Sequence, residues 1–182
     1  MHTMTSRRAM KKSKLEYKSM IVSEQHAVCL IPARAGSKGL KDKNIIMLAG
    51  KPLICWTIES ALGSKLISEI IISTDSQKIA DVVSIYGDRV KVIERPDELS
   101  LDNTPTDPVI KHAIDFFEKP MSQIWILLQV TSPLRNSAHI DQSIRLLRDN
   151  PIANGVVSVY EEATSILKVF GVDSDGYLVG MF

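Results

Sequence analysis

An α/β fold, with a largely parallel central sheet covered by helices on both faces, follows from three features of the sequence. Short apolar runs recur at 27–32, 68–73, 90–93, 124–129 and 155–159. Helix-like segments at 52–63, 76–86, 106–117 and 137–149 separate them. Short apolar strands separated by helices suit a largely parallel sheet covered on both faces. The 182 residues, 45% of them hydrophobic, allow one ordinary domain with a sizeable core, residues 27–150. A net charge of +1 argues against a dedicated nucleic-acid binder, which would concentrate basic charge over its folded surface.

Residues 1–26 form a basic flexible tail, with Arg7, Arg8, Lys11, Lys12, Lys14 and Lys18 against Glu16 and Glu24. No apolar stretch there is long enough for a signal-peptide core. A frayed start with later methionines at Met4, Met10 and Met20, a functional basic arm, and a nuclear or organellar address all stay open. No run reaches the roughly 18 apolar residues of a membrane span. Cys29 and Cys55 lack metal-ligand spacing and are too few for a disulfide framework, so they read as small buried apolar residues in a reducing cytoplasm.

The first strand, 27–32, runs into Ile31-Pro32-Ala33-Arg34-Ala35-Gly36-Ser37-Lys38-Gly39-Leu40. A buried strand entering a small, glycine-punctuated turn with two cations offers backbone N–H groups, a guanidinium fork and an ammonium to one polyanion. A nucleoside triphosphate is the natural occupant. The loop lacks the spacing of a P-loop and of a dinucleotide fold, leaving only G-x-x-G. That tetrapeptide also suits an ordinary surface turn, or the RNA clamp of a KH domain, although the KH loop expects helices on both sides and here a strand precedes it.

Pro52 opens the first helix, where its missing N–H has no intrahelical partner to lose, and Gly63 closes it. Asp75 follows the strand 68–73, Arg95 the strand 90–93, and Gln129 ends the run 124–129. Ligand sites of open α/β sheets lie at the carboxyl ends of the strands, so these residues and the Arg34 loop should converge. Pro96 biases Arg95 toward an extended backbone. Surface pairing of Arg95 with Glu94, Asp97 or Glu98 is the bland alternative. Lys41 and Lys43 read equally as a solvated cluster with Asp42. Thr131 and Ser132 could cap the helix from 137. His2 and His26 lie in the tail, and His112 and His139 have no matched partner, so all four histidines read as structural. Ser37 lacks the histidine and acid that would make it a nucleophile.

Four segments, Ile31 to Asn44, Ser73-Thr74-Asp75, Arg95-Pro96-Asp97-Glu98-Leu99 and Leu127 to Arg135, together resemble the cytidylyltransferases that activate nine-carbon sugar acids, most closely the N-acylneuraminate cytidylyltransferases (CMP-sialic acid synthetases). The resemblance implies a Rossmann-like nucleotide-diphospho-sugar transferase fold and transfer of CMP from CTP to the anomeric hydroxyl of the sugar acid, with release of pyrophosphate. It implies Arg34 and Lys38 as the catalytic cations, acting with Mg2+ by in-line positioning and charge neutralisation. It assigns Ala33, Arg34, Gly36, Ser37, Lys38, Gly39, Lys43, Asn44, Arg95, Thr104 and Thr106 to the nucleotide, with Arg95 meeting cytosine. Gln129, Thr131, Ser132 and Arg135 are assigned to the sugar acid, and Val130 departs from the family's usual proline. Asp75 reads as structural or supporting rather than as a base.

Residues 151–182 complete the picture as a final strand region and the start of a dimerisation arm. Asp173-Ser174-Asp175-Gly176 reads as a hairpin turn between 166–172 and 177–181 rather than a metal site. By resemblance Lys168 approaches the sugar carboxylate in a homodimer partner; a surface lysine is the alternative. The resemblance also implies a further C-terminal segment with a magnesium-holding D-x-D that this sequence lacks, so the metal ligands are unknown. Other readings stay open: pseudaminate, legionaminate or 3-deoxy-manno-octulosonate as acceptor, a GTP-using branch, an inactive nucleotide-binding fragment, and an RNA-binding module built on Gly36 to Gly39.

Overall fold

The computed structural model describes residues 27–36, 39–117, 124–159 and 170–180. Strand β1 (Ala27–Pro32) pairs in parallel with β4 (Ile67–Thr74) on one side and β6 (Trp125–Leu127) on the other. Strand β5 (Lys91–Glu94) extends the sheet beyond β4, giving the order β5-β4-β1-β6. Two small antiparallel pairs stand apart, β2 (Met47–Leu48) with β3 (Lys51–Pro52) and β7 (Phe170–Val172) with β8 (Leu178–Gly180).

Alternate residues of β1 supply both cores. Ala27, Cys29 and Ile31 pack with Ile70 and Ile72 against Ile54 and Ile58 of α1 (Leu53–Leu62), Ile79 of α2 (Gln77–Val83), and Ile140 and Ile144 of α4 (Ser137–Asp149). Val28, Leu30, Ile71 and Ile93 face the other way, under Ala113 and Ile110 of α3 (Thr106–Phe116). A strand buried on both faces needs every side chain apolar, which is why the run shows no alternation. Each fully buried large aliphatic contributes about 1.5–3 kcal/mol of transfer free energy. Both cysteines are buried and unpaired, as expected.

Most elements fall where the periodicity places them, and the exceptions have local causes. Pro52 sits one residue outside α1 (φ −56°, ψ 142°), and the helix begins at Leu53, whose N–H donates to Ile46 O at 2.8 Å. Gly63 ends α1 in right-handed conformation; the room it provides is for α4, since a Cβ there would lie 3.3 Å from Ser137 Cβ. The segment 76–86 is helical only to Val83, then passes into 3-10 turns over Ser84–Arg89 that Gly87 kinks at φ 56°. The cap of α4 is Asn136, not Thr131 or Ser132: its side chain accepts from His139 N at 3.0 Å while His139 Nδ1 accepts from Asn136 N at 3.4 Å. His139 is therefore structural.

The run 155–159 is not a strand. It is irregular, with Val157 68% exposed, because β-branched residues take up strand pairing only where a partner offers a pleated surface to pack on. The Asp173 turn does close a hairpin, with Asp173 Oδ1 accepting from Asp175 N and Tyr177 N and Gly176 at φ 84°. Strands β7 and β8 flank it, while residues 166–169, Lys168 among them, and 181–182 lie outside the described residues, as does the basic tail.

Candidate functional site

The loops after β1, β4, β5 and β6 leave the same edge of the sheet, and the chain order reverses between β1 and β6, which is where open α/β sheets form their crevice. The sheet ladder continues one residue past the strand ends: Ala33 N donates to Ser73 O at 2.9 Å, Arg95 N to Thr74 O at 2.8 Å and Leu128 N to Leu30 O at 2.9 Å. Arg34, Asp75, Arg95 and Gln129 therefore start from fixed backbone positions.

Two side chains grip the loop after β1. Asp75 Oδ1 accepts from Ala35 N at 2.7 Å, and Asn44 Nδ2 donates to Arg34 O at 2.9 Å. Asn44 is buried, and it is placed by a single 3-10 turn (Lys43–Ile45) that follows the left-handed Asp42 (φ 52°). A carboxylate accepting a backbone N–H is a charge-assisted bond, stronger than a neutral one. Asp75 is thus a brace for the loop, in keeping with its structural reading.

Arg95 is 5% exposed and does not pair with Glu94, Asp97 or Glu98. Its Nε donates to Ser73 Oγ at 3.0 Å and its Nη2 to Ser73 O at 2.6 Å, which spends one edge of the fork on the end of β4. Burial lowers this guanidinium from its ordinary value; the Asp75 carboxylate opposes that shift and the Arg34 charge adds to it. Arginine keeps its proton even when buried, so Arg95 is a fixed cationic donor.

A cleft of about 180 Å³ opens beside these groups, lined by Pro32, Arg34, Gly36, Lys43, Asn44, Arg95, Leu99, Leu101, Asp102, Thr104, Pro105, Thr106, Val109, Gln129, Val130 and Thr131. Of the residues expected to take part, Arg34, Gly36, Lys43, Asn44, Arg95, Thr104, Thr106, Gln129 and Thr131 meet there. Ala33 is buried behind the loop, and Gly39 and Ser132 are exposed away from the lining. Arg135 is also off the lining: its Nη2 donates to Gln129 O at 2.9 Å and its backbone O accepts from Ser60 Oγ at 2.6 Å, so it ties the turn 129–135 to itself and to α1. Its Nη1 is buried with no hydrogen-bond partner in the described structure. Ser37 and Lys38 lie outside the described residues, as does Lys168.

Three participants carry no signal of their own in the sequence. Ser73 stands in a motif quoted for its aspartate, yet it is the serine that orients Arg95. Asp102 and Ser100 hold the Arg34 guanidinium, with Nη2 2.6 Å from Asp102 Oδ1 and Nη1 donating to Ser100 O at 3.2 Å. Only the chain reversal after Arg95 brings that loop across the cleft. Among the described residues no group of three or more metal-ligating side chains gathers, and the lining carboxylate, Asp102, is already engaged by Arg34. These residues do not make a magnesium cage by themselves. Chemically, the arrangement presents fixed cations and backbone donors at one end, a buried donor fork over an apolar floor of Leu99, Leu101 and Val109, and an amide with a hydroxyl at the other end.

Residues 28–174 match the cytidylyltransferase family. The chain belongs to that family. It is 40% identical over 132 residues to the N-acylneuraminate cytidylyltransferase of Escherichia coli O18:K1:H7, covering 72% of this chain and 30% of the relative. It is also 40% identical over 157 residues to the CMP-N,N'-diacetyllegionaminic acid synthase of Legionella pneumophila, covering 84% and 65%. Among solved structures, a CMP:2-keto-3-deoxy-manno-octonic acid synthetase complexed with CTP superposes with a TM-score of 0.57 at 27% identity, over 70% of this chain and 49% of that one. The chain thus spans about a third of the E. coli cytidylyltransferase and about half of the solved synthetase. A cytidylyltransferase fold accounts for the parallel sheet, its cover of helices and a cleft at the β1/β6 reversal.

Proposed function

We propose that the protein transfers CMP from CTP to the anomeric hydroxyl of a nine-carbon sugar acid, N-acylneuraminate, with release of pyrophosphate. The observation that carries this reading is the convergence, in one cleft, of a braced cationic loop around Arg34 with a buried Arg95 whose free fork edge points away from Ser73. In this reading the acceptor hydroxyl attacks the α-phosphorus, a new P–O bond forms as the bond to the β-phosphate bridging oxygen breaks, and the hydroxyl proton passes to solvent. The residues Arg34, Lys38 and Lys43 neutralise charge that grows on the leaving pyrophosphate. The backbone of Gly36 and Gly39, with Ser37, donates to phosphate oxygens. Arg95 donates to O2 and N3 of cytosine, which accept hydrogen bonds, and Thr104 and Thr106 border the base and ribose. Asn44 serves by holding the Arg34 carbonyl.

Gln129 and Thr131 address the acceptor's polar substituents, while Ser132 and Arg135 support that turn. Magnesium is the proposed cofactor, accompanying the triphosphate, since Mg2+ is usually held by substrate phosphates and water with only one or two carboxylates. A cytoplasmic homodimer, with Lys168 of one chain serving the partner's sugar site, completes the reading. No described helix is long and apolar enough to cross a membrane.

Calorimetric titration with CTP, GTP, ATP and UTP in magnesium tests this. Selective CTP binding that falls in Arg34→Ala and Arg95→Ala is the expected result; a folded chain that binds none of the four overturns it. The identity with the legionaminic acid synthase favours a second acceptor, a legionaminate. Competition between the two sugar acids in a pyrophosphate-release assay separates the two.

A further inference from the structure

If Arg34 is to receive phosphate, its guanidinium has to be available, yet it is already engaged. Asp102 Oδ1 lies 2.6 Å from Nη2, and Ser100 O accepts from Nη1 at 3.2 Å. Both acceptors belong to the loop between the Arg95 segment and α3, and Thr104 of the same loop lines the cleft. A guanidinium fork matches carboxylate and phosphate with the same geometry, so the two anions are alternatives rather than companions at Arg34.

We propose that Asp102 is a latch, a carboxylate that stands in for triphosphate at Arg34 and clips the 100–104 loop to the 33–36 loop until nucleotide displaces it. The inference rests on the reading of this cleft as a nucleotide site. The side chains of Arg34 and Asp102 are 27% and 36% exposed, so the pair is screened and weak enough to yield to a ligand of several charges. Displacement couples the two ends of the nucleotide: phosphate at Arg34 releases the loop that carries Thr104. A nucleoside without phosphate cannot open the latch, and a monophosphate product, with fewer charges, competes with it less well. The latch therefore favours the triphosphate substrate over the nucleotide product.

The test is titration of CTP and of cytidine, without divalent metal, into wild type, Asp102→Asn and Asp102→Ser. Either neutral variant is expected to bind CTP about two- to fivefold more tightly, the range set by a partly exposed ion pair, and to leave cytidine affinity unchanged. In an Arg34→Ala background the same substitutions are expected to raise CTP affinity less than they do in wild type, because the coupling runs through that guanidinium. Unchanged or weaker CTP binding by both neutral variants, or an equal effect without Arg34, overturns the latch while the nucleotide site stands. Failure of the folded wild type to bind CTP even when magnesium is restored overturns the site reading itself.

Discussion

The two ends of the cleft are built differently. On the β1–β4–β5 side, buried or half-buried residues hold the functional groups: Asp75 Oδ1 on Ala35 N, Asn44 Nδ2 on Arg34 O, and the hydroxyl and carbonyl of Ser73 on two nitrogens of Arg95. On the β6 side a three-residue strand, at the sheet edge among the described residues, leads into a turn held mainly through backbone carbonyls, with Ser132 N on Gln129 O at 3.3 Å, Arg135 Nη2 on Gln129 O at 2.9 Å and Ser60 Oγ on Arg135 O at 2.6 Å. The difference suits the proposed function, in which one end takes a highly charged triphosphate and a planar base that repay preorganised donors, and the other a turn that tolerates variation in the acceptor.

The sharpest way to break the comparison is Arg95→Ala, which removes a buried donor and strands Ser73. CTP affinity should fall about tenfold to a hundredfold, since hydrogen bonds to a charged group are each worth about 1.5–3 kcal/mol, and calorimetry reads the loss. Asp75→Ala comes next. It leaves Ala35 N without its acceptor, and should cost about 1–3 kcal/mol in chemical denaturation, with weaker CTP binding as well. Asp75→Asn, which keeps an acceptor oxygen, should cost less. Ser73→Ala retains the backbone carbonyl bond to Arg95 and should weaken CTP about two- to tenfold. The smallest effect on nucleotide is expected for Arg135→Ala. It should leave CTP affinity within about twofold while raising the KM for the sugar acid severalfold, because its one bond to Gln129 O is worth about 1 kcal/mol. A comparable loss of CTP binding in Arg135→Ala would erase the distinction between the two ends.

Much of the fold was legible because burial on two faces leaves a plain mark. The run that becomes β1 is apolar throughout, β4 carries Ile70, Ile71 and Ile72 at its centre, and α4 spans 137–149 in both readings. The run 155–159 misled for the same reason, since composition reports what a strand would need and not whether a partner strand is beside it. In the cleft, motif spacing pointed to Arg34, Arg95 and Gln129 but not to what orients them. Ser73 acts through its carbonyl as much as its hydroxyl, and a carbonyl has no identity in a sequence. Asp102 meets Arg34 across 68 residues, a contact that exists only after the sheet has formed.

Helix α1 touches both ends of the cleft. Its first N–H is anchored to Ile46, beside the turn that places Asn44, and its far end meets the turn at 129–135, with Ser60 on Arg135 O and Gly63 against Ser137. Ten residues of helix measure about 15 Å, with each residue turning the helix by about 100°. The helix is accordingly a ruler: it fixes the spacing between the Arg34 loop with Asn44 and the turn at 129–135, the two ends that the proposed function gives to phosphate and acceptor. A single inserted residue would change both that distance and the face offered to Arg135, while leaving every motif residue intact.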